Sequence, residues 1–375
     1  MAHLQFETAS RTLPYERPPP LVSLLQAIGR GRCDLPLECF DDNRVDWAIR
    51  TGLGPLFFRA VKGRTQNAAS PHWKSLQASD LTARVLMGSH FEAMAEIIDL
   101  CQEQRAPVIL LKGISVAAQC YPEPHQRLMR DLDFLIDRNF APALEARLLD
   151  IGYRPKNGAC AADYLDHHHR VPLYHPEKNV WAEIHHRLFS SHKRAGRVSA
   201  FGAENVRAQL RPCMFAGRQV YRLSDELQLL YLAAHWGQDL KPVGGMIAMI
   251  DVIFLLQRCG SDLQWQEILN WSKGSAASTY LYLLLSYLQR YGLVEIAPGV
   301  LNELCSSQPS FGRLSLRIAH AIVDRYVVDG VVWGRFLNAR NIDSVWKTLT
   351  QGKSPSLNLA LLPLNLFLPD RLRLG

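Results

Sequence analysis

The sequence predicts an α+β protein, with a compact α/β unit set between two helical regions. Three observations predict it. Apolar residues recur at helical spacing up to about residue 104, short strand-like runs and alternation replace them between about 105 and 222, and helical spacing returns from 223 onward. The expected segments are a flexible leader over 1–20 ending in Arg17-Pro18-Pro19-Pro20, a helical region over 21–104, the α/β core over 105–222, a helical domain over 223–350, and a Leu/Pro-rich tail over 351–375.

Each element has a local reason. Ser79-Asp80 is a fair N-cap, and Met87, Phe91, Met94, Ile98 and Cys101 then mark one helix face until Pro107 stops it. Val108 to Leu111 is an apolar run between a proline and Lys112-Gly113, which reads as a buried strand, and Ile114 to Tyr121 reads as a short helix. Asp131 to Asp137 alternates as a strand. Leu144, Leu148 and Ile151 have helical spacing, with Asn139 as candidate cap and Gly152 as stop. Arg170 to Tyr174 and Asn179 to His185 suit a hairpin. Further helices are expected after Ser224, over Met246 to Cys259, over Ala276 to Tyr291 and over Phe311 to Val328.

Composition narrows the function. A hydrophobic share of 48% with 21% charged residues excludes wholesale disorder. No apolar run reaches the ~18 residues of a membrane span, and the N-terminal stretch lacks the basic start and apolar run of a secretory signal. The eight cysteines are scattered without a CxxC pair, so reduced thiols and a cytoplasmic protein are expected. The net charge of +7, with no cluster of five basic residues, suits an anionic ligand such as a nucleotide better than a nucleic-acid duplex.

The chemistry concentrates between residues 111 and 187. Strand alternation puts Asp131 and Asp133 on one face and Leu132, Phe134 and Ile136 on the other. Two carboxylates roughly 7 Å apart, with no cation beside them in sequence, repel each other unless a divalent ion relieves them, and oxygen-preferring Mg²⁺, or Mn²⁺ in its place, is the expected occupant. Upstream, Gly113 brings the chain to a helix start, where free N–H groups favour an anion; Lys112 and Ser115 add a charge and a hydroxyl. Val180-Trp181-Ala182-Glu183-Ile184-His185 alternates so that Glu183 can join the aspartates if its strand lies beside theirs, the carboxylate set a phosphoryl transfer needs.

The run LLKGISVAAQCYPEPHQRLMRDLDFLI, the later IGYRP and then WAEIHHRL resemble the uncharacterised bacterial nucleotidyltransferases of the polymerase-beta-like superfamily, over roughly residues 80 to 290. The resemblance implies a nucleotidyltransferase core built on a small mixed sheet with helices. It also implies Mg²⁺ dependence and transfer of a nucleoside monophosphate from a nucleoside triphosphate to an acceptor, with Asp131, Asp133 and Glu183 as catalytic metal ligands. Lys112, Gly113, Ser115 and Arg127 are the expected nucleotide-binding residues. The superfamily's usual Gly-Ser or Gly-Gly turn is replaced here by Gly113-Ile114, with Ser115 one place later.

Other residues carry open alternatives. His169, His185, His235 and Asp251 are candidates for an acceptor pocket. Asp251 stands alone in an apolar run, so it must be paired or face a cavity, and His235, Lys241 and Arg222 are its candidate partners. The His167-His168-His169 run also admits a zinc hydrolase, and the tail a docking or membrane-surface segment. The acceptor, whether small molecule, peptide, protein or RNA end, is not specified by the sequence. The same fold retained as a non-catalytic nucleotide sensor or scaffold is the alternative to the enzyme.

Overall fold

A computed structural model describes residues 20–157, 159, 164–238, 240, 242–307, 313–328 and 339–351. Most of the expected leader, Lys241 and the Leu/Pro-rich tail lie outside the described residues. The chain opens with α1 (Pro20–Gly29), α2 (Asp42–Arg50), α3 (Gly54–Val61) and the long α4 (Trp73–Glu103). The mixed unit follows as β1 (Ile109–Leu110), α5 (Lys112–Cys120), β2 (Asp131–Leu135), α6 (Ala141–Asp150), β3 (Arg154–Pro155), β4 (Leu173–His175), β5 (Val180–His185), α7 (Ala203–Ala208), β6 (Leu210–Phe215) and β7 (Arg218–Leu223). Then come α8 (Asp225–Gln238), α9 (Pro242–Cys259), α10 (Trp265–Ser272), α11 (Ala276–Arg290), α12 (Val300–Ser306), α13 (Arg313–Ile322) with a π-helical continuation over Val323–Val328, and α14 (Ala339–Gln351).

Among the described residues the strands form one seven-stranded mixed sheet in the order β3-β4-β5-β2-β1-β7-β6. The pairing that positions the site is β2 with β5, which is parallel and in register Asp131↔Trp181, Asp133↔Glu183 and Leu135↔His185. β4 and β5 form the expected hairpin. The apolar residues of β2 and β5, Leu132, Phe134, Val180, Ala182 and Ile184, pack with α4 and α6 in one core. A second core joins α1–α3 to α8, α9 and α11, so the helices before and after the sheet bury their apolar stripes against each other.

Several helix starts differ from expectation: α5 begins at Lys112 rather than Ile114, α9 at Pro242 rather than Met246, and two others have a visible cause. Helix α4 begins at Trp73, not at Ser79-Asp80, because the Trp73 ring packs edge-on against Phe58 at 5.2 Å and Leu76 is fully buried. Ser79 and Asp80 are interior: a Cβ on Gly54 would lie 2.0 Å from the Ser79 hydroxyl oxygen, and the Asp80 carboxylate takes Arg84 Nε at 3.0 Å and His125 Nε2 at 2.9 Å. Helix α6 is capped at Phe140 rather than Asn139, whose backbone N–H instead bonds the Asp137 carboxylate at 3.0 Å.

Helices α8 and α11 cross at Gly237, where an added Cβ would fall 2.0 Å from Tyr280 Cδ1 and 2.6 Å from its Cβ. Trp346 Nε1 donates to the Gly237 carbonyl at 2.7 Å, tying α14 to the same crossing. Gly237→Ala is therefore expected to destabilise the protein by about 3 kcal/mol or more, through overpacking that the buried Tyr280 ring cannot relieve; thermal unfolding of the variant measures it.

Candidate functional site

The register of β2 and β5 places Asp133 beside Glu183 on neighbouring strands, ~4.8 Å apart along the hydrogen-bonding direction. Asp133 is 3% exposed, and Asp131 and Glu183 are half-buried. Asp133 Oδ1 takes Lys112 Nζ at 2.7 Å and His185 Nε2 at 2.8 Å. His185 Nε2 also lies 3.7 Å from Glu183 Oε2. Ligand-type atoms of Asp133, Glu183 and His185 all fall within 4.8 Å of one another. The three expected carboxylates are thus on one side of the sheet, but the tightest group contains His185 in place of Asp131. In sequence His185 read only as a pocket residue; its alternation with Glu183 was the signal for the closer role.

The absence of a nearby cation, inferred along the sequence, does not hold in space. Lys112 supplies one, and its backbone shows what that placement requires: φ is +43°, left-handed geometry that costs a non-glycine residue roughly 1–2 kcal/mol. The strained residue is therefore Lys112, not Gly113. Gly113 serves a packing need, since a Cβ there would lie 3.3 Å from the Arg127 guanidinium carbon. Ser115 is buried, and its hydroxyl accepts Gln119 Nε2 at 2.9 Å.

The electrostatics follow from these contacts. Burial alone would raise Asp133, but the Lys112 ammonium and the His185 hydrogen bond reverse it and hold the carboxyl well below its usual range. Burial, then the charges of Asp133 and Glu183, push Asp131 up to about 6, against the opposing pull of Lys112 and Arg127. Burial and Lys112 lower His185, yet its bonds to Asp133 and Glu183 outweigh them and its net shift is upward. The Lys112 ammonium is likewise held charged by Asp133 and Glu183 against its burial.

Asp251 on α9 is 1% exposed and finds partners other than those expected. Arg127 grips it twice, Nε to Oδ1 at 3.0 Å and Nη2 to Oδ2 at 2.9 Å, and the Tyr121 hydroxyl donates to Oδ1 at 2.7 Å. Arg127 Nη1 goes to the Leu128 carbonyl at 2.8 Å. The correction has a simple cause: a fork matches a carboxylate in two bonds, and α9 packs beside α5, bringing Tyr121 and Arg127 to Asp251. Arg222 pairs with Asp225 instead. His235 sits half-buried on α8 with its ring 6.3 Å from that of Tyr231.

The histidine run is held within the protein. His168 Nδ1 meets the Ser190 hydroxyl at 2.9 Å, His169 Nδ1 donates to the Arg170 carbonyl at 2.7 Å, and the His167 ring lies 4.8 Å from Tyr164. Residue His169 bridges to His185 across the edge of β5, and their rings are 5.4 Å apart. Burial first, then the neighbouring charges of His185 and His169, lower His168 to about 2, so it is neutral at physiological pH.

The seven-stranded mixed sheet thus carries paired acidic residues on adjacent parallel strands, beside the connection from β1 to α5. The chain belongs to the family described as uncharacterised nucleotidyltransferase, which matches residues 41–292, more than half of its 375 residues. Among solved structures it is similar to the lincosamide antibiotic adenylyltransferase LnuA with lincomycin bound, at 22% identity over 44% of this chain and 94% of that one, with a TM-score of 0.30. A likeness that slight has no bearing on this chain's substrates. No curated protein matches the chain. Among the described residues no helix is long and apolar enough to cross a membrane.

Two measurable consequences follow from the charge arrangement. The folded Asp131 carboxyl is raised above its ordinary 3.8, so its ionisation opposes folding as pH rises from about 4 through about 6. Asp131→Asn is expected to raise the melting temperature at about pH 8 by ~1–3 °C and to leave it nearly unchanged at about pH 4; calorimetry at the two pH values reads this directly. Asp251→Ala strands a buried Arg127 and is expected to cost about 3–5 kcal/mol, whereas Asp251→Ala with Arg127→Met should recover part of that loss. Denaturant titration of the single and double variants compares them.

Proposed function

We propose that the protein is a Mg²⁺-dependent nucleotidyltransferase that moves a nucleoside monophosphate from a nucleoside triphosphate to a hydroxyl or similar acceptor, with release of pyrophosphate. The observation that carries this reading is the register pairing of Asp133 with Glu183, with Asp131 two residues away on the same face.

The residues fit a hard divalent cation. Three carboxylates share one side of the sheet, the elevated Asp131 reports negative charge that Lys112 and Arg127 do not balance, and the Lys112 ammonium, 2.7 Å from Asp133 Oδ1, is a cation standing in that field. Asp131, Asp133 and Glu183 would hold the ion. Bound there, Mg²⁺ would neutralise phosphate charge as the transferred phosphorus changes partners. His185 donates to Asp133 through Nε2, so it fixes that carboxylate rather than offering an electron pair from the same nitrogen.

The remaining steps belong to the chain itself. Lys112 provides positive charge beside the triphosphate, and the backbone N–H groups of the first turn of α5 add a favourable anion environment. Glu183 accepts the proton of the acceptor hydroxyl; the freed oxygen attacks the α-phosphorus, and the bond to the bridging oxygen of pyrophosphate breaks. Arg127 holds Asp251 through Nε and Nη2 and lies against Gly113, and the N–H groups its three bonds leave over are its means of reaching the triphosphate. His169 and His235 remain placed for an acceptor, near His185 and Tyr231 respectively.

One observation favours a second reading, a nucleotide-binding module without turnover. Asp133 already has two hydrogen-bond donors, the Lys112 ammonium and His185 Nε2, as a site without metal would need.

Incubation with each labelled nucleoside triphosphate, Mg²⁺ and cell extract, followed by mass analysis of what gains a nucleotide, tests the proposal and identifies the acceptor. Asp133→Ala is expected to lower the rate at least ~10³-fold, about 4 kcal/mol of barrier, and chelation of Mg²⁺ should stop the reaction. Nucleotide binding by calorimetry with no pyrophosphate release would establish the second reading instead.

A further inference from the structure

Helix α4 runs for 31 residues and packs one side against the protein. Ala83 and Met87 on that side are 1% exposed, whereas Leu81 and Val85 are 57% and 73% exposed. A helix turns about 100° per residue, which lines up Lys74, Ala78, Leu81, Val85, Gly88 and Glu92 in one stripe opposite the buried Ala83. All six are exposed. A Cβ added at Gly88 would meet nothing within 4 Å. Neither Lys74 nor Glu92 is in an ion pair among the described residues. Arg84 lies on the flank of the stripe and is taken by Asp80 and Glu123.

Within one copy of the chain this stripe is poorly explained. Two aliphatic side chains stand together in water, and a glycine sits in an exposed helix interior where alanine would serve better. Lys74 occupies the first turn, where the helix dipole disfavours a cation and no acidic residue offsets it. The order of the residues supplies a reason. They are mirrored about Ala83: Leu81 and Val85 are two residues from it, Ala78 and Gly88 five, Lys74 and Glu92 nine. A two-fold axis requires that if residue i meets residue j, then j also meets i. A second copy laid antiparallel across the stripe satisfies this at every position. Leu81 meets Val85, the small Ala78 meets the small Gly88 so that the backbones can approach, and each ammonium meets a carboxylate. A partner of unrelated sequence would give no cause for such symmetry.

We propose that the outer face of α4 is a self-association surface, occupied by the same face of a second copy of this chain running antiparallel. Leu81 and Val85 form its centre, and a Lys74–Glu92 pair closes each end. The inference stands apart from the nucleotidyl-transfer reading, since none of these residues belongs to the carboxylate site. The stripe is about 27 Å long. One helix pair of that length falls short of the ~1,200 Å² of a stable interface, so the dimer is reversible and concentration-dependent. Its exposed end pairs make it weaker in high salt.

Sedimentation equilibrium of the full chain, over a concentration series at low and at high salt, tests this. Wild type is expected to pass from monomer to dimer as concentration rises. Lys74→Glu and Glu92→Lys should each raise the dimer Kd about 10-fold at low salt, because each turns two attractions into two repulsions. The double variant restores both pairs with their signs exchanged, and its Kd should return to within about 3-fold of wild type. Val85→Glu puts a charge against Leu81 of the second copy and should raise the Kd about 100-fold or more. Melting temperatures of the dilute variants should stay within about 2 °C of wild type, since all three positions lie on the surface of the monomer. A wild-type protein that stays monomeric up to its solubility limit overturns the proposal. So does a dimer indifferent to Val85→Glu, or a double variant as weak as the single ones, which would put the contact elsewhere or in another register. A fall in melting temperature of more than ~3 °C in dilute Val85→Glu also overturns it, since that would mean a segment of the same chain covers the face.

Discussion

Parallel pairing of β2 with β5 sets two carboxylates side by side in a largely buried place, and much of the surrounding structure answers that constraint. Like charges held on adjacent strands in a poorly hydrated site repel strongly. Lys112 bends into left-handed geometry to bring its ammonium to Asp133, and His185 donates to the same oxygen. The compensation is incomplete, and the remainder appears at Asp131, whose carboxyl is driven up to about 6.

The helical regions take part in building that site. Their shared apolar core packs α8 and α9 against the unit that bears the carboxylates. Through Asp251, α9 holds Arg127, whose guanidinium lies against Gly113 at the start of α5. Helix α8 buries Tyr231 against Phe189 and Phe201 within that core. The span matched by the family, 41–292, accords with this: it begins next to α2 and ends just past α11, taking in helices on both flanks rather than the sheet alone.

The histidine run makes a contrasting point. Three adjacent histidines invite a metal reading, yet His168 and His169 spend their Nδ1 atoms on Ser190 and on a backbone carbonyl, and His168 is lowered to about 2 by burial and by neighbouring histidine charge. The rings of His168 and His169 lie tilted against that of His185 instead, at 5.0 and 5.4 Å, as a partly buried aromatic wall. Residue type along the chain shows what a group can do; the hydrogen bond its ring nitrogen has already made decides what it does.

Local periodicity was sufficient for much of the architecture. Two-residue alternation in DLDFLID and VWAEIH fixed which side chains share a face, and glycine or proline punctuation marked most helix ends, because those signals act over a few residues. It was also enough to separate the carboxylate-bearing face from the apolar one. Tertiary packing decided the rest. The start of α4 moved to Trp73 once Phe58 was there to receive it, Asp251 took Arg127 and Tyr121 from over a hundred residues earlier, and Lys112 became the counter-ion of Asp133. Each of these depends on groups distant in sequence meeting in space, and the energy of such a meeting depends on burial and geometry that no local pattern of residues records.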